Sequence, residues 1–132
     1  MGLLTGKVAL ITGGSRGIGE SIVLKYAQEG ADIAFTYISS EEKAMSVVHD
    51  AQKYGVKVVA YKSDASNYAQ AEVLIQDVLA TFGTIDILIN NAGITKDTLM
   101  LRMTEEQWDQ VMDINLKSVF NLTKHVLKPM MK

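Results

Sequence analysis

Hydrophobic and polar positions alternate in blocks along the chain, and the blocks are of two kinds. Four short segments are apolar nearly throughout, which is typical of strands covered on both faces of a sheet. These predicted strands are residues 7–12, 32–37, 56–62 and 86–90. Between them, apolar residues recur three and four positions apart, as they do in amphipathic helices. The pattern predicts four helices, over residues 17–29, 41–54, 68–82 and 104 to about 127.

Residues at the predicted helix ends support this division. A glycine follows each of the first three helices, where a left-handed residue commonly ends a helix: Gly30, Gly55 and Gly83. Thr104 and Gln107 have the spacing of a capping box at the start of the last helix. Pro129 should discourage extension of that helix, because proline lacks the backbone N–H that a helix interior uses.

A strand followed by a helix, repeated four times, predicts an α/β fold. Right-handed crossovers then give a doubly wound parallel sheet with helices on both faces. The 132 residues suit one domain, residues 1–132, and no linker composition divides them. The sheet is truncated after the fourth βα unit, so residues 86–90 should form an edge without the neighbour that such sheets normally have.

Composition excludes several classes of function. The net charge of -2 gives no attraction to nucleic acid. Cysteine is absent and histidine occurs twice, so we predict no disulfide, no thiolate nucleophile and no metal site. No apolar run approaches the roughly 20 residues of a membrane span, and the N-terminus lacks the order of a signal peptide. We expect a cytoplasmic protein with neither nucleic-acid nor membrane partners.

A glycine-rich loop joins the first predicted strand to the first helix. Thr12, Gly13, Gly17 and Gly19 form the pattern Thr-Gly-x-x-x-Gly-x-Gly. Glycine permits a sharp exit from the strand, a close approach of backbone amides to a phosphate, and close packing of the helix. The helix N-terminus adds unpaired N–H groups and partial positive charge. The loop therefore predicts a phosphate site, with a plain turn as the alternative.

The end of the second strand bears on which nucleotide would bind. NAD-binding folds place an acidic residue about 20 positions after the glycines, on the ribose 2′-hydroxyl. Residues 37–40, Tyr-Ile-Ser-Ser, contain no acid. Arg16 can instead reach a 2′-phosphate, and Ser39 and Ser40 can donate hydrogen bonds to it. This favours NADPH, although Arg16 can also be a solvated cation and the serines can be helix caps.

Two motifs together indicate a family. "TGGSRGIG" (12–19) and "NNAG" (90–93) resemble those of the short-chain dehydrogenase/reductases, and the segment 90–120 is similar to bacterial 3-oxoacyl-[acyl-carrier-protein] reductases. The resemblance covers essentially the whole chain. It implies a single Rossmann-type NAD(P)-binding domain, an NADPH cofactor, an acyl-carrier protein as partner, and a homo-oligomer, a tetramer in the full-length protein.

The resemblance also implies roles for particular residues. Asp64 would meet the adenine amino group, Asn91 would steady the neighbouring backbone, and Asn115 would hold a water in the catalytic proton relay. The segment 64–67, Asp-Ala-Ser-Asn, can otherwise be only a turn and cap before the third helix, and Asn115 can be a tolerated polar residue. Together, the loop and the resemblance predict these cofactor-binding residues: Thr12, Gly13, Ser15, Arg16, Gly17, Ile18, Gly19, Tyr37, Ser39, Asp64, Ala65, Asn90, Ala92 and Gly93.

The family's chemistry needs a serine and a Tyr-x-x-x-Lys pair, and no Tyr-x-x-x-Lys occurs in the 132 residues. We therefore expect the cofactor-binding half of a reductase, cut before its active site and inactive by itself. Two alternatives stay open, a dehydrogenase of another alcohol or ketone and a non-catalytic nucleotide-binding module.

The last predicted helix has apolar residues on more than one face. One face should pack on the sheet, and the other suits a contact between subunits, which is how the resembling family uses this helix. Lys124, Lys128 and Lys132 follow each other at every fourth position, so they should share a face. That row can attract an acidic carrier protein or can be a solvated surface.

Overall fold

The computed structural model describes residues 2–92 and 100–131. Four strands alternate with four α-helices, and a short 3-10 helix, Met100–Arg102, precedes the last of them. The strands are β1 (Val8–Ile11), β2 (Asp32–Tyr37), β3 (Val58–Lys62) and β4 (Ile87–Ile89). The helices are α1 (Gly17–Gln28), α2 (Glu41–Gln52), α3 (Tyr68–Phe82) and α4 (Glu105–Met131).

The strands form one parallel sheet in the order β3-β2-β1-β4. The chain moves outward from β1 to β2 and β3, and then crosses to the other side of β1 to form β4. The predicted doubly wound α/β sheet is thus confirmed, and β4 forms its edge as expected. Because the direction reverses at β1, the chain leaves β1 and β4 toward helices on opposite faces of the sheet. Ligands of such sheets bind in the crevice at this point.

Two cores lie on opposite faces of the sheet. Alternate residues of β1 point to opposite sides, so Ile11 joins the core under α1 and α2 while Leu10 joins the core under α3 and α4. Phe35 of β2 is fully buried in the first core, and Leu122 of α4 is fully buried in the second. Burial on both faces explains why the strands read as continuous apolar runs.

The glycines and the capping box predicted at the helix ends are confirmed, although α2 ends at Gln52, two residues earlier than predicted. Gly30, Gly55 and Gly83 have φ angles of +95°, +80° and +84°, the left-handed region that glycine adopts without strain. At the start of α4, the Gln107 amide donates to Thr104 Oγ1 and the Thr104 amide donates to Gln107 Oε1, both at 3.1 Å. These reciprocal bonds are those of a capping box.

The predicted end of the last helix was wrong. We expected α4 to stop near Leu127, but it continues through Pro129 to Met131. Proline removes one N–H donor from the helix, and here that loss falls in the final turn. The carbonyl of His125, four residues earlier, loses the donor that another residue at position 129 would supply, so about one hydrogen bond is lost near the end of the helix.

One side of α4 packs against the second core and the other side is open. Its buried residues are Ser118, Asn121, Leu122 and Val126. Large apolar side chains on the remaining surface are exposed, and they include Trp108, Met112, Leu116, Val119, Phe120 and Leu127. The second apolar face that the sequence predicted is therefore present. Among the described residues, no helix is both long enough and apolar enough to cross a membrane.

Candidate nucleotide-binding site

A cleft of about 420 Å³ lies where the carboxyl ends of β1, β2 and β4 meet. Its lining combines the glycine loop after β1 with the segments that follow β2 and β4, and consists of Gly13, Ser15, Arg16, Thr36, Tyr37, Ile38, Ser39, Asn91 and Ala92. Six of these nine residues were predicted from the sequence to bind a cofactor. A cleft of this size at the switch point of a parallel sheet fits a nucleotide.

The Thr12 side chain joins the ends of β1 and β4. Its hydroxyl accepts hydrogen bonds from the backbone amides of Asn91, at 3.0 Å, and Ala92, at 2.9 Å, and donates to the Ile89 carbonyl at 3.5 Å. Only 1% of Thr12 is exposed. The side chain therefore acts by fixing the backbone on both sides of the cleft.

Asn91 fastens the glycine loop to the same strand end. Its Nδ2 donates to the Gly13 carbonyl oxygen at 3.1 Å. Gly19, in the first turn of α1, packs against this pair so closely that a Cβ would lie 2.0 Å from the Gly13 oxygen and 2.6 Å from Asn91 Nδ2. Glycine is thus required at position 19 for α1 to approach the loop.

Thr36, at the end of β2, holds the other side of the loop. Its Oγ1 accepts from the Gly13 amide and its carbonyl accepts from the Gly14 amide, each at 3.0 Å. A Cβ on Gly14 would lie 2.7 Å from the Cβ of Phe35. Sequence reasoning missed Thr36 and Gly14, although Gly14 was visible as a fourth glycine in the loop.

The N-terminus of α1 is open toward the cleft. Gly17 has φ +58°, and a Cβ built on it would meet nothing within 4 Å. Arg16 at the N-cap makes no side-chain capping bond, so the helix amides have no side-chain acceptor from that position. A phosphate can therefore approach the helix dipole and its N–H groups without displacing protein atoms. Ile18, which is 74% exposed, lies beside this opening.

The two serines after β2 have different roles. Ser40 is the N-cap of α2 and accepts from the Lys43 amide at 3.3 Å, which confirms the capping interpretation for this residue. Ser39 is exposed and lines the cleft together with Tyr37 and Arg16. Arg16, Tyr37 and Ser39 thus border the space beyond the end of β2, where the described lining contains no acid.

A smaller cleft of about 100 Å³ adjoins the first and shares Ile38 and Ala92 with it. Asp64 and Ala65 form one side, and Ile114 and Ser118 of α4 form another. This places the predicted adenine-binding residues at the end of β3, next to the main cleft.

Asp64 also organises its own turn. Its Oδ1 accepts from the Ser66 amide at 2.9 Å and from the Ser66 hydroxyl at 2.7 Å, and its amide donates to Gln70 Oε1 at 2.9 Å. The segment 64–67 is therefore a turn and a helix cap, as the alternative interpretation predicted: Asp64 forms the turn and Asn67 is the N-cap of α3, accepting from the Gln70 amide at 3.0 Å. Asp64 still borders the cleft.

A family model described as short chain dehydrogenase matches residues 7–132. The chain belongs to the short chain dehydrogenase family. It is 44% identical over 126 residues to a Staphylococcus epidermidis protein named 3-oxoacyl-[acyl-carrier-protein] reductase FabG, covering 96% of this chain and 52% of that protein. The chain thus spans about half the length of the curated relatives it matches.

Solved structures of the same family superpose closely. A Burkholderia cenocepacia short chain dehydrogenase in complex with NADP gives a TM-score of 0.88 at 35% identity, over 96% of this chain and 52% of that one. A Mycobacterium avium carveol dehydrogenase in complex with NAD gives a TM-score of 0.88 at 25% identity, over 99% and 52% of the two chains. The family fold therefore extends along nearly the whole of this chain.

Six described residues that were predicted for the site of this short chain dehydrogenase chain lie outside both cleft linings: Thr12, Gly17, Ile18, Gly19, Asn90 and Asn115. Asn90 is exposed and its Nδ2 donates to Thr123 Oγ1 on α4 at 3.3 Å. Asn115 is half-buried on α4, next to Ile114 of the smaller cleft. Gly93 lies outside the described residues. Over residues 2–92 and 100–131, no group of three or more His, Asp or Glu side chains is arranged to hold a metal ion.

Proposed function

We propose that this chain is the cofactor-binding part of an NADPH-dependent 3-oxoacyl-[acyl-carrier-protein] reductase. The family membership, the 44% identity to FabG and the open glycine loop support this assignment. When bound, the reduced nicotinamide supplies the hydride that reduces the 3-oxo group to a 3-hydroxy group. The residues of this chain hold the dinucleotide, and the whole protein completes the active site.

The observation that carries the NADPH preference is the position of Arg16. It borders the main cleft with Ser39, and the described residues of the lining beyond β2 include no carboxylate to accept a ribose 2′-hydroxyl. A guanidinium forms charge-assisted bonds with a phosphate, whereas a carboxylate in that place would repel it. The Burkholderia relative that binds NADP is consistent with this choice.

The test is a fluorescence titration of the chain with NADPH and with NADH. We expect tighter binding of NADPH, and Arg16→Ala should lower that preference roughly tenfold, because a hydrogen bond to a charged group contributes about 1.5–3 kcal/mol in buried sites and less where water competes. Arg102→Ala is the control, since Arg102 is exposed and lies outside the cleft lining. An equal or greater affinity for NADH would contradict the proposal.

We further propose that the 132-residue chain binds the cofactor but does not turn it over. No Tyr-x-x-x-Lys pair occurs in its sequence to donate the proton that must follow hydride transfer. Oxidation of NADPH by material of verified mass, with an acetoacetyl thioester as substrate, would contradict this. The same measurement on longer material distinguishes a carrier-protein reductase from a dehydrogenase of another ketone.

We propose two surfaces of α4 for partners. The exposed apolar face, with Leu116 63% exposed and Phe120 56% exposed, suits a second copy of the chain in a homo-oligomer. Lys124 and Lys128 suit an acidic acyl-carrier protein, although the ammonium of Lys124 also lies 5.3 Å from the centre of the Tyr68 ring. Lys128→Glu should weaken carrier-protein binding, and Lys25→Glu on α1 is the control.

A further inference from the structure

A buried side chain of α4 holds the turn after β3, which forms one wall of the smaller cleft. None of the roles predicted above involves this residue. Asn121 is completely buried, and its Nδ2 donates to the Ala65 carbonyl oxygen at 3.0 Å. Ala65, itself only 4% exposed, lines that cleft. One hydrogen bond thus links positions 56 residues apart in the sequence.

This link differs from the other bonds of the turn. The amide of Asp64 donates to Gln70 of α3, and Ser66 donates to the Asp64 carboxylate within the turn itself. Those bonds move together with α3. Asn121 instead connects the turn to α4, which carries Ile114 and Ser118 on the opposite side of the cleft. It therefore sets the separation of the two walls.

A contribution to the stability of the fold does not by itself explain why position 121 is an asparagine. Its neighbours in the chain and in the core include the fully buried Leu122 and the nearly buried Val126. Its Oδ1 is buried and has no hydrogen-bond partner in the described part of the chain. An unpaired buried acceptor costs about 1–3 kcal/mol, which offsets what one hydrogen bond contributes.

We propose that Asn121 is a positioning residue for the adenosine half of the dinucleotide. Holding Ala65 against α4 fixes the two walls of the smaller cleft before the ligand arrives, so binding does not have to order the turn. This inference rests on the proposed function, because it assigns the smaller cleft to the adenosine half. The glycine loop, which would take the pyrophosphate, lies at the end of a different strand and should not depend on Asn121.

The test uses two probes that occupy different parts of the site. We would titrate ¹⁵N-labelled chain with 2′,5′-ADP, which needs the adenosine half, and with inorganic pyrophosphate, which needs only the glycine loop. Asn121→Leu keeps the branched shape and the number of heavy atoms of the side chain, although it is bulkier, and removes the donor. We expect it to weaken 2′,5′-ADP roughly three- to tenfold, the usual range for one lost hydrogen bond, and to leave pyrophosphate unchanged.

Val126→Ala is the matched control, because it loosens the same core one turn further along α4 without touching the turn. It should lower Tm and leave both affinities unchanged. Three results would overturn the inference. Asn121→Leu could weaken the binding of both probes equally, or leave the affinity for 2′,5′-ADP unchanged. Val126→Ala could weaken the binding of 2′,5′-ADP as much as Asn121→Leu does.

A measurement on the unaltered chain covers the case in which Asn121→Leu does not fold. The side-chain amide of Asn121 gives its own resonance, which 2′,5′-ADP should shift and pyrophosphate should not. An unmoved resonance at saturating 2′,5′-ADP would overturn the inference. If the unaltered chain binds pyrophosphate but no 2′,5′-ADP, the proposed nucleotide function fails as well, whereas binding that is insensitive to Asn121 refutes only the positioning role.

Discussion

Gly19→Ala tests whether position 19 is a glycine because of its close contact with the glycine loop, since the effect of this contact on stability is opposite to that of helix propensity. In a helix interior alanine is more favourable than glycine by about 1 kcal/mol, so propensity alone predicts stabilisation. The structure predicts the opposite, because the new Cβ would lie 2.0 Å from the Gly13 carbonyl oxygen and 2.6 Å from Asn91 Nδ2. The oxygen belongs to the backbone and cannot rotate away.

The magnitude follows from three contributions. Overpacking of this kind costs about 1–3 kcal/mol, and losing the bond from Asn91 to Gly13 costs about 1 kcal/mol. Subtracting the gain in propensity leaves a net loss of about 1–3 kcal/mol, or a decrease in Tm of several degrees. Displacing the loop should also weaken NADPH binding at least about tenfold, since its amides would no longer converge on the phosphates.

The assay is thermal unfolding together with an NADPH titration. Gly55→Ala is the matched control, because Gly55 has φ +80° with open space around it and lies far from the cleft. It should lose about 1 kcal/mol of stability through backbone strain and keep its affinity. A Gly19→Ala chain with unchanged or raised Tm and unchanged NADPH affinity would refute the steric reasoning.

Further substitutions test the other contacts of the site and the open face of α4. Thr36→Val should lower stability by about 1–3 kcal/mol and weaken NADPH binding, because the Gly13 amide loses its buried acceptor. Thr36→Ser keeps the hydroxyl and should retain both stability and affinity in the same assays. Ser40→Ala should cost about 1 kcal/mol in thermal unfolding through loss of the N-cap, whereas Ser39→Ala should reduce only the preference for NADPH in the titration. Leu116→Asp should lower the mass measured by light scattering if the apolar face of α4 joins two chains, and a monomeric mass for the unaltered chain across micromolar concentrations would contradict that contact.

Much of the site was predictable because its residues are constrained locally. Gly17, for example, has a positive φ, which favours glycine at that one position. Such a local requirement can be predicted from the sequence. Ser39 and Ser40 were predicted as a pair with two candidate roles. The sequence placed the start of α2 at residue 41, but only the structure showed that Ser40 caps this helix and that Ser39 lines the cleft.

Contacts between distant segments were not predictable in the same way. Thr36 reads as one more β-branched strand residue, and only the parallel pairing of β1 with β2 brings its hydroxyl to the Gly13 amide. Asn121 reads as a polar residue in an amphipathic helix. Its bond to Ala65 exists because α4 packs beside α3, across 56 positions of sequence.

The sequence by itself determined the alternation of strands and helices, the glycine positions and the capping residues, because periodicity and backbone conformation are properties of neighbouring residues. It also carried the motifs that indicated the family. Only the tertiary structure decided which side chains hold the cleft and how wide it is. Thr12, Thr36, Asn91 and Asn121 act through backbone groups of other elements, and those partners are fixed by the order β3-β2-β1-β4 and the packing of α4.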